Sequence, residues 1–126
     1  MNGKILIVDD NAQSVSLMTL LLQHAGCTVV SASCGAEGLK IARREPLDMI
    51  LMDIQMPDMD GFRAAHEILA DKNTRHIPVI GISAYASPQS IKQAMHMGMV
   101  GFIEKPIDHK QFIARVRAFL LPGTEK

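Results

Sequence analysis

Asp48-Met49-Ile50-Leu51-Met52-Asp53-Ile54-Gln55-Met56-Pro57-Asp58-Met59-Asp60 is the stretch on which the fold turns. Its apolar residues Met49 to Met52 run straight into one carboxylate, Asp53. A run that short and that apolar predicts a strand buried on both faces, as in a parallel sheet. Asp53 then stands at the strand's carboxyl end, the edge of an open α/β sheet where ligands bind. Asp48 at the strand start and Asp58 and Asp60 in the loop read as solvated or capping residues. Asp53 is the carboxylate placed for chemistry.

The same unit repeats on either side. Upstream, Ile5 to Val8 forms a buried strand ending in Asp9-Asp10-Asn11. A helix follows with Val15, Met18, Leu21, Leu22 and Ala25 at helical spacing, stopped by Gly26. Thr28 to Ala32 is a more polar strand, which suits a sheet edge. Gly35 to Arg44 is a helix turning Ala36, Leu39 and either Ala42 or the Arg43 stem inward, closed before Pro46.

Downstream, Pro57 to Gly61 is turn-rich, and a third helix carries Phe62, Ala65, Ile68 and Leu69. Pro78 opens a fourth strand, where a missing donor is tolerable, and Val79 to Ile82 runs to Ser83. Ser87-Pro88 starts a helix that uses Ile91, Ala94 and Met95 and ends at Gly98. Val100 to Ile103 is a fifth strand, followed by Glu104-Lys105-Pro106. Asp108 and Gln111 have capping-box spacing, and the last helix buries Phe112, Val116, Phe119 and Leu120 before Pro122-Gly123.

Five strand–helix alternations with short links predict an α/β fold, a doubly wound five-stranded parallel sheet built of right-handed units. The 126 residues suffice for one domain with a real core and are too few for two. The expected division is a single domain, residues 1–126, with its core over about 3–121 and a short tail, 122–126.

Lysine and arginine total 13, as do aspartate and glutamate, so there is no electrostatic footprint for nucleic acid or an anionic membrane. No apolar run nears the roughly 20 residues of a membrane span, and the N-terminus has no signal-peptide pattern. Cys27 and Cys34 suit a reducing cytoplasm and inert packing, and their separation is not a metal-site spacing.

The polar residues fall at the strand ends. Strand one ends in Asp9 and Asp10, strand three in Asp53, strand four in Ser83, strand five near Lys105. If strands one and three are neighbours, three carboxylates converge. Such charges repel unless a cation sits among them, and carboxylate oxygens with water suit magnesium. The Ser83 hydroxyl and Lys105 ammonium suit a phosphoryl group.

Asp9-Asp10, Asp53, Ser83-Ala84 and Lys105-Pro106, in this order and spacing, resemble the receiver domain of bacterial two-component response regulators, the CheY-like fold. The resemblance covers essentially the whole chain. It implies a flavodoxin-like (βα)5 fold with strand order 2-1-3-4-5. It implies that Asp53 is the phosphoacceptor, taking a phosphoryl group from a sensor histidine kinase or histidine phosphotransfer protein. Asp10 and Asp53 would hold magnesium directly, the backbone carbonyl of Gln55 would supply a third protein oxygen, and Asp9 would act through bound water, with manganese or calcium able to substitute. Lys105 would neutralise charge on the transferring group, turned into the site by a cis bond to Pro106, and Ser83 would bond a phosphoryl oxygen while small Ala84 leaves room. An aromatic residue on strand five, here Phe102, would rotate inward as the switch. The readout to a downstream protein would lie on helix four, strand five and helix five, in a cytoplasmic monomer that dimerises, if at all, on phosphorylation. Gln55 and Tyr85 occupy the positions that tune phosphate lifetime, and bulky Tyr85 is expected to shield the phosphate.

Each residue also has a plainer use. Asp9-Asp10-Asn11 could cap a helix, Ser83 could bond backbone, and Lys105 could be a solvated charge. Met95, Met97 and Met99 read as core filler rather than a soft-metal site, and no motif links the five histidines. Lys110, Arg115 and Arg117 read as a solvated face, with a partner surface next. The chain is expected to be a signalling module that phosphorylates and dephosphorylates itself, not a turnover enzyme. An aspartyl-phosphate phosphohydrolase would want a second carboxylate where Gln55 stands. A flavin carrier would want N–H donors where Asp9-Asp10 is negative. A receiver that binds partners without phosphate would not need its site intact. Whether the chain stands alone or comes from a larger protein is left open.

Overall fold

The computed structural model describes residues 2–55, 61–85 and 87–120. In chain order the elements are β1 (Lys4–Val8), α1 (Ala12–His24), β2 (Thr28–Ala32), α2 (Gly35–Arg44), β3 (Met49–Asp53), α3 (Gly61–Ala70), β4 (Val79–Ser83), α4 (Pro88–Met97), β5 (Gly101–Glu104) and α5 (His109–Phe119). The strands form one parallel sheet in the order β2-β1-β3-β4-β5.

Alternation along each strand splits the core into two layers. Ile5, Ile7, Met49, Leu51, Ile80, Ile82 and Ile103 face Met18 and Leu22 of α1 and Phe112 and Val116 of α5. Leu6, Val8, Ile50, Met52, Val79 and Phe102 face α2, α3 and α4 through Leu39, Ala65, Ile68 and Ala94. Fully burying one such aliphatic side chain contributes about 1.5–3 kcal/mol, so the continuous apolar runs account for the central strands. β2, at an edge, has the most exposed pattern, as its composition predicts.

The helix ends follow local chemistry. Asn11 accepts from the Ser14 N–H, Ser87 from Ser90, and Asp108 from Gln111, each satisfying a donor that an N-terminus leaves open. Gly98 closes α4 at φ 116°, a left-handed conformation that favours glycine. Asp48, expected to be solvated or capping, instead ties two strands together. Its Oδ2 accepts from the Lys4 N–H at 2.7 Å, while its own N–H donates to the Lys4 carbonyl.

Several boundaries and faces differ from expectation. Pro78 precedes β4, yet its carbonyl accepts from Ile50, so the ladder reaches it without needing the donor it lacks. Val100 lies outside β5 and is exposed, because the strand starts at Gly101 and runs on through Glu104. Ala36 and Met95 also point to solvent; Gly38 and Ile41 take the inward places on α2. The expected stop at Pro122-Gly123 and the residues Asp58 and Asp60 lie outside the described residues. No helix among those described is long and apolar enough to cross a membrane.

Candidate functional site

The sheet's hydrogen-bond ladder continues one residue past several strands and lines their ends up on one rim. Asp9 N–H donates to Ala32 O, Ile54 N–H to Ile82 O, and Lys105 N–H to Ser83 O. With β1 and β3 adjacent, Asp9 and Asp53 meet there. Ligand oxygens of Asp9, Asp10 and Asp53 all lie within 4.8 Å of one another. Asp9 and Asp53 are buried and Asp10 is exposed.

Two Asx turns orient the buried pair. Asp9 Oδ1 accepts from the Asn11 N–H at 2.9 Å, and Asp53 Oδ1 accepts from the Gln55 N–H at 2.8 Å. The second oxygens face the cation: Lys105 Nζ lies 2.8 Å from Asp9 Oδ2 and 3.3 Å from Asp53 Oδ2. The Lys105-Pro106 bond is cis, as expected. The approach to Asp9 is an ion pair without hydrogen-bond alignment, so Asp9 Oδ2 is the buried side-chain oxygen left without a hydrogen bond among the described residues.

Charge balance in this cleft is uneven. Burial raises the Asp53 carboxyl above the usual range; the Gln55 N–H opposes it, the charge of Asp9 adds to it, and Lys105 opposes it. Burial also pulls the Lys105 ammonium down, but its contacts with Asp9 and Asp53 outweigh this and leave it raised. Asp9 and Asp53 share one lysine and Asp10 lies close beside them, so the cleft retains excess negative charge. That donor set fits a small, hard, oxygen-seeking cation.

Ser83 is fully buried at the end of β4, its Oγ donating to the Tyr85 carbonyl and accepting from the Tyr85 N–H. The Tyr85 side chain is 70% exposed, so its ring stands mainly in solvent. Phe102 pairs with Gly81 across β4 and β5, and its ring lies inward: a Cβ on Gly81 would come within 3.0 Å of it. Its carbonyl accepts from the Arg115 guanidinium on α5.

Gly61 escaped the sequence reading, which took it only as part of a turn. A Cβ there would lie 2.1 Å from the Asp53 carbonyl oxygen and 2.4 Å from Ile54 Cα, so α3 starts hard against the backbone that carries Asp53. The Asp60-Gly61 pair was the available signal, but a glycine required for close approach looks in sequence like one required for a turn.

The family model for the response regulator receiver domain matches residues 5–117. The chain belongs to the response-regulator receiver domain family. The polar-differentiation response regulator DivK of Brucella ovis is 32% identical to this receiver domain over 120 residues, 95% of this chain and 98% of DivK. The structure of the chemotaxis protein CheY4 of Vibrio cholerae superposes with a TM-score of 0.90 at 26% identity, covering 95% of this chain and all of that one. The receiver domain of the sensor histidine kinase PA1611 of Pseudomonas aeruginosa PAO1 matches with a TM-score of 0.85 at 28% identity, over 94% of this receiver domain and 98% of that chain, and carries a magnesium ion coordinated in its active-site cleft. Receiver domains are the signalling modules of two-component response regulators, and this chain has their five-stranded architecture throughout.

Proposed function

We propose that Asp53 is the phosphoacceptor and that Asp9, Asp10 and Lys105 assemble the charge that makes the transfer possible. The observation that carries this is the convergence of three carboxylates within 4.8 Å beside one lysine. A carboxylate oxygen of Asp53 attacks the phosphorus of a phosphohistidine on a sensor kinase or phosphotransfer protein. An O–P bond forms, the P–N bond breaks, and its electron pair leaves with the imidazole nitrogen. Lys105 turns from Asp53 Oδ2 toward the phosphoryl oxygens, where charge accumulates.

Asp10, Asp53 and the Gln55 carbonyl would hold magnesium, with Asp9 acting through water, and the ion would supply positive charge against which a dianionic group could approach three carboxylates. Manganese and calcium serve in its place. Ser83 leaves its bonds to Tyr85 to donate to a phosphoryl oxygen, and that exchange moves the β4–α4 loop and the α4–β5–α5 face that a downstream protein reads. Water then attacks the phosphorus, the bond to Asp53 breaks with its electron pair returning to the carboxylate, and inorganic phosphate leaves with the water's protons. Tyr85 slows this step by folding its ring over the site, so Tyr85→Ala should shorten the phosphate's lifetime; an unchanged lifetime refutes that role.

Treatment with a small-molecule phosphodonor, with and without magnesium, followed by intact mass, tests the core of the proposal. One phosphate that requires magnesium and is absent from Asp53→Asn is the expected result. Folded wild-type protein that takes up no phosphate would favour a receiver that binds partners without phosphorylation.

A further inference from the structure

β2 is an outer strand of the sheet, paired on one side with β1 and on the other with no strand among the described residues. Its ladder fixes which backbone groups face outward. Thr28 N–H donates to the Gly3 carbonyl, and the Ala32 carbonyl accepts from Asp9 N–H, so Thr28, Val30 and Ala32 turn their backbone groups toward β1. Alternation turns those of Val29 and Ser31 outward. The next outward donors on either side are already engaged. Cys27 N–H donates to the Leu22 carbonyl, and Ser33 N–H donates to Glu37 Oε1 at 2.9 Å. Val29 and Ser31 thus form a window of open donors and acceptors between two closed ends, with Val30 at its middle.

An open edge of this kind is a template for another strand, and proteins blunt it with charge or with cover. The far edge, β5, carries Glu104 and has the Arg115 guanidinium on the Phe102 carbonyl. Among the described residues β2 has neither device at its window. From Ala25 to Ala36 the chain holds no charged residue at all. Thr28 and Ser31 are exposed and Val29 and Val30 half-buried, so the strand offers apolar surface beside its open backbone.

We propose that β2 pairs with β2 of a second copy of this chain, antiparallel across a two-fold axis at Val30. Val29 of each copy then lies opposite Ser31 of the other, and each such pair exchanges both N–H···O bonds. Every open group in the window is satisfied, and the two sheets become one. The closed ends select this register. An axis at Ser31 would set Val29 against Ser33, whose N–H is held by Glu37, and an axis at Val29 would set Ser31 against Cys27, whose N–H is held by Leu22. A two-fold brings the same segment of both copies together, so an uncharged segment meets no like charge. The two Val30 side chains meet as a β-branched pair. An extended segment of another protein fits less well, because nothing in a symmetric, uncharged window sets its direction. Strand pairing alone buries less than a standard interface, so the dimer is weak and concentration-dependent. It needs no phosphate and does not rest on the reading of Asp53.

Sedimentation equilibrium of the full chain over about 10 µM to 1 mM, the range of a weak contact, tests the proposal. The mass should rise toward that of a dimer, and amide exchange at Val29 and Ser31 should slow as concentration rises. Ser31→Pro removes an open donor and no hydrogen bond of the single chain, since an edge strand accepts proline where the N–H faces solvent. It should keep the wild-type circular dichroism and weaken the dimer about tenfold or more. Ser31→Ala, which keeps the backbone donor, should dimerise as wild type does. In a Cys34→Ser background with oxidised glutathione, Val30→Cys should crosslink the copies about ten times faster than Thr28→Cys, which the two-fold holds apart. A single chain at every concentration overturns the proposal and leaves the edge to an extended segment of another protein. A dimer that Ser31→Pro leaves intact, or equal crosslinking at both positions, overturns it as well.

Discussion

At the scale of single residues, the site is governed by charges that the fold forces together. The folded-state pKa of Asp53 is raised, first by burial and then by the charge of Asp9. The folded protein therefore binds this proton more strongly than the unfolded chain does. The group's contribution to stability is full below its unfolded value, about 3.9, and is lost as pH rises through the folded value. Without metal, Asp53→Asn should be more stable than wild type at neutral pH, with the gap closing below about pH 4. Denaturant melts at the two pH values measure this, and an equal gap at both would refute it. Lys105→Gln should act in the opposite sense on stability, leaving Asp9 and Asp53 facing each other unpaired. The same change should slow phosphoryl transfer by about 10²–10³, the usual loss for one charge-stabilising donor.

At the scale of elements, the start of α3 decides how the site is held, while the start of α4 contributes stability alone. Gly61→Ala places a methyl group into the Asp53 backbone, and overpacking of that kind costs about 1–3 kcal/mol. Because the atom struck is rigid backbone, the variant should lose phosphate uptake as well as stability. A variant that melts early yet takes up phosphate at the wild-type rate would separate Gly61 from the site. Ser87→Ala should cost about 1 kcal/mol through loss of the α4 cap, without altering Asp53 chemistry. β5 is the other exposed sheet edge, and Arg115 covers part of it by donating to the Phe102 carbonyl. With the Phe102 ring already inward over Gly81, movement of the Ser83–Tyr85 segment has more room to carry a signal than rotation of that ring.

At the scale of the whole molecule, a cation in the acidic cleft should stabilise the fold. Asp9, Asp10 and Asp53 are brought together only in the folded chain, so an ion held by them would draw the equilibrium toward the folded state. At a magnesium concentration one hundred times its Kd the gain is about 2.7 kcal/mol. Calorimetry with and without magnesium reads it as a rise in Tm, and the rise should shrink sharply in Asp53→Asn. An equal rise in both proteins would place the ion elsewhere. The same scale explains how a neutral chain can offer distinct surfaces: the acidic rim lies at the strand ends, while the outer edge of β2 carries no charge.

By itself the sequence determined the number and type of the elements, because burial on two faces demands continuous apolar runs and burial on one demands helical spacing. Met49–Met52 and the Ser87-Pro88 start are local signals of this kind, and both elements stand where they were expected. The residues of the cleft could be nominated from the same rows, since strand ends are where a chain of this class places its chemistry. Local patterning misjudged Ala36, Met95 and Val100, whose exposure depends on how far each helix or strand is rotated against its neighbours. It was silent about the hydrogen-bond deficit of Asp9 Oδ2, the backbone approach at Gly61 and the open window on the β2 edge. Those depend on atoms far apart in the chain, as Lys105 and Asp53 are, and strand pairing across the sheet sets their distances. Spacing along the sequence carries no record of such distances, so only the tertiary structure could decide them.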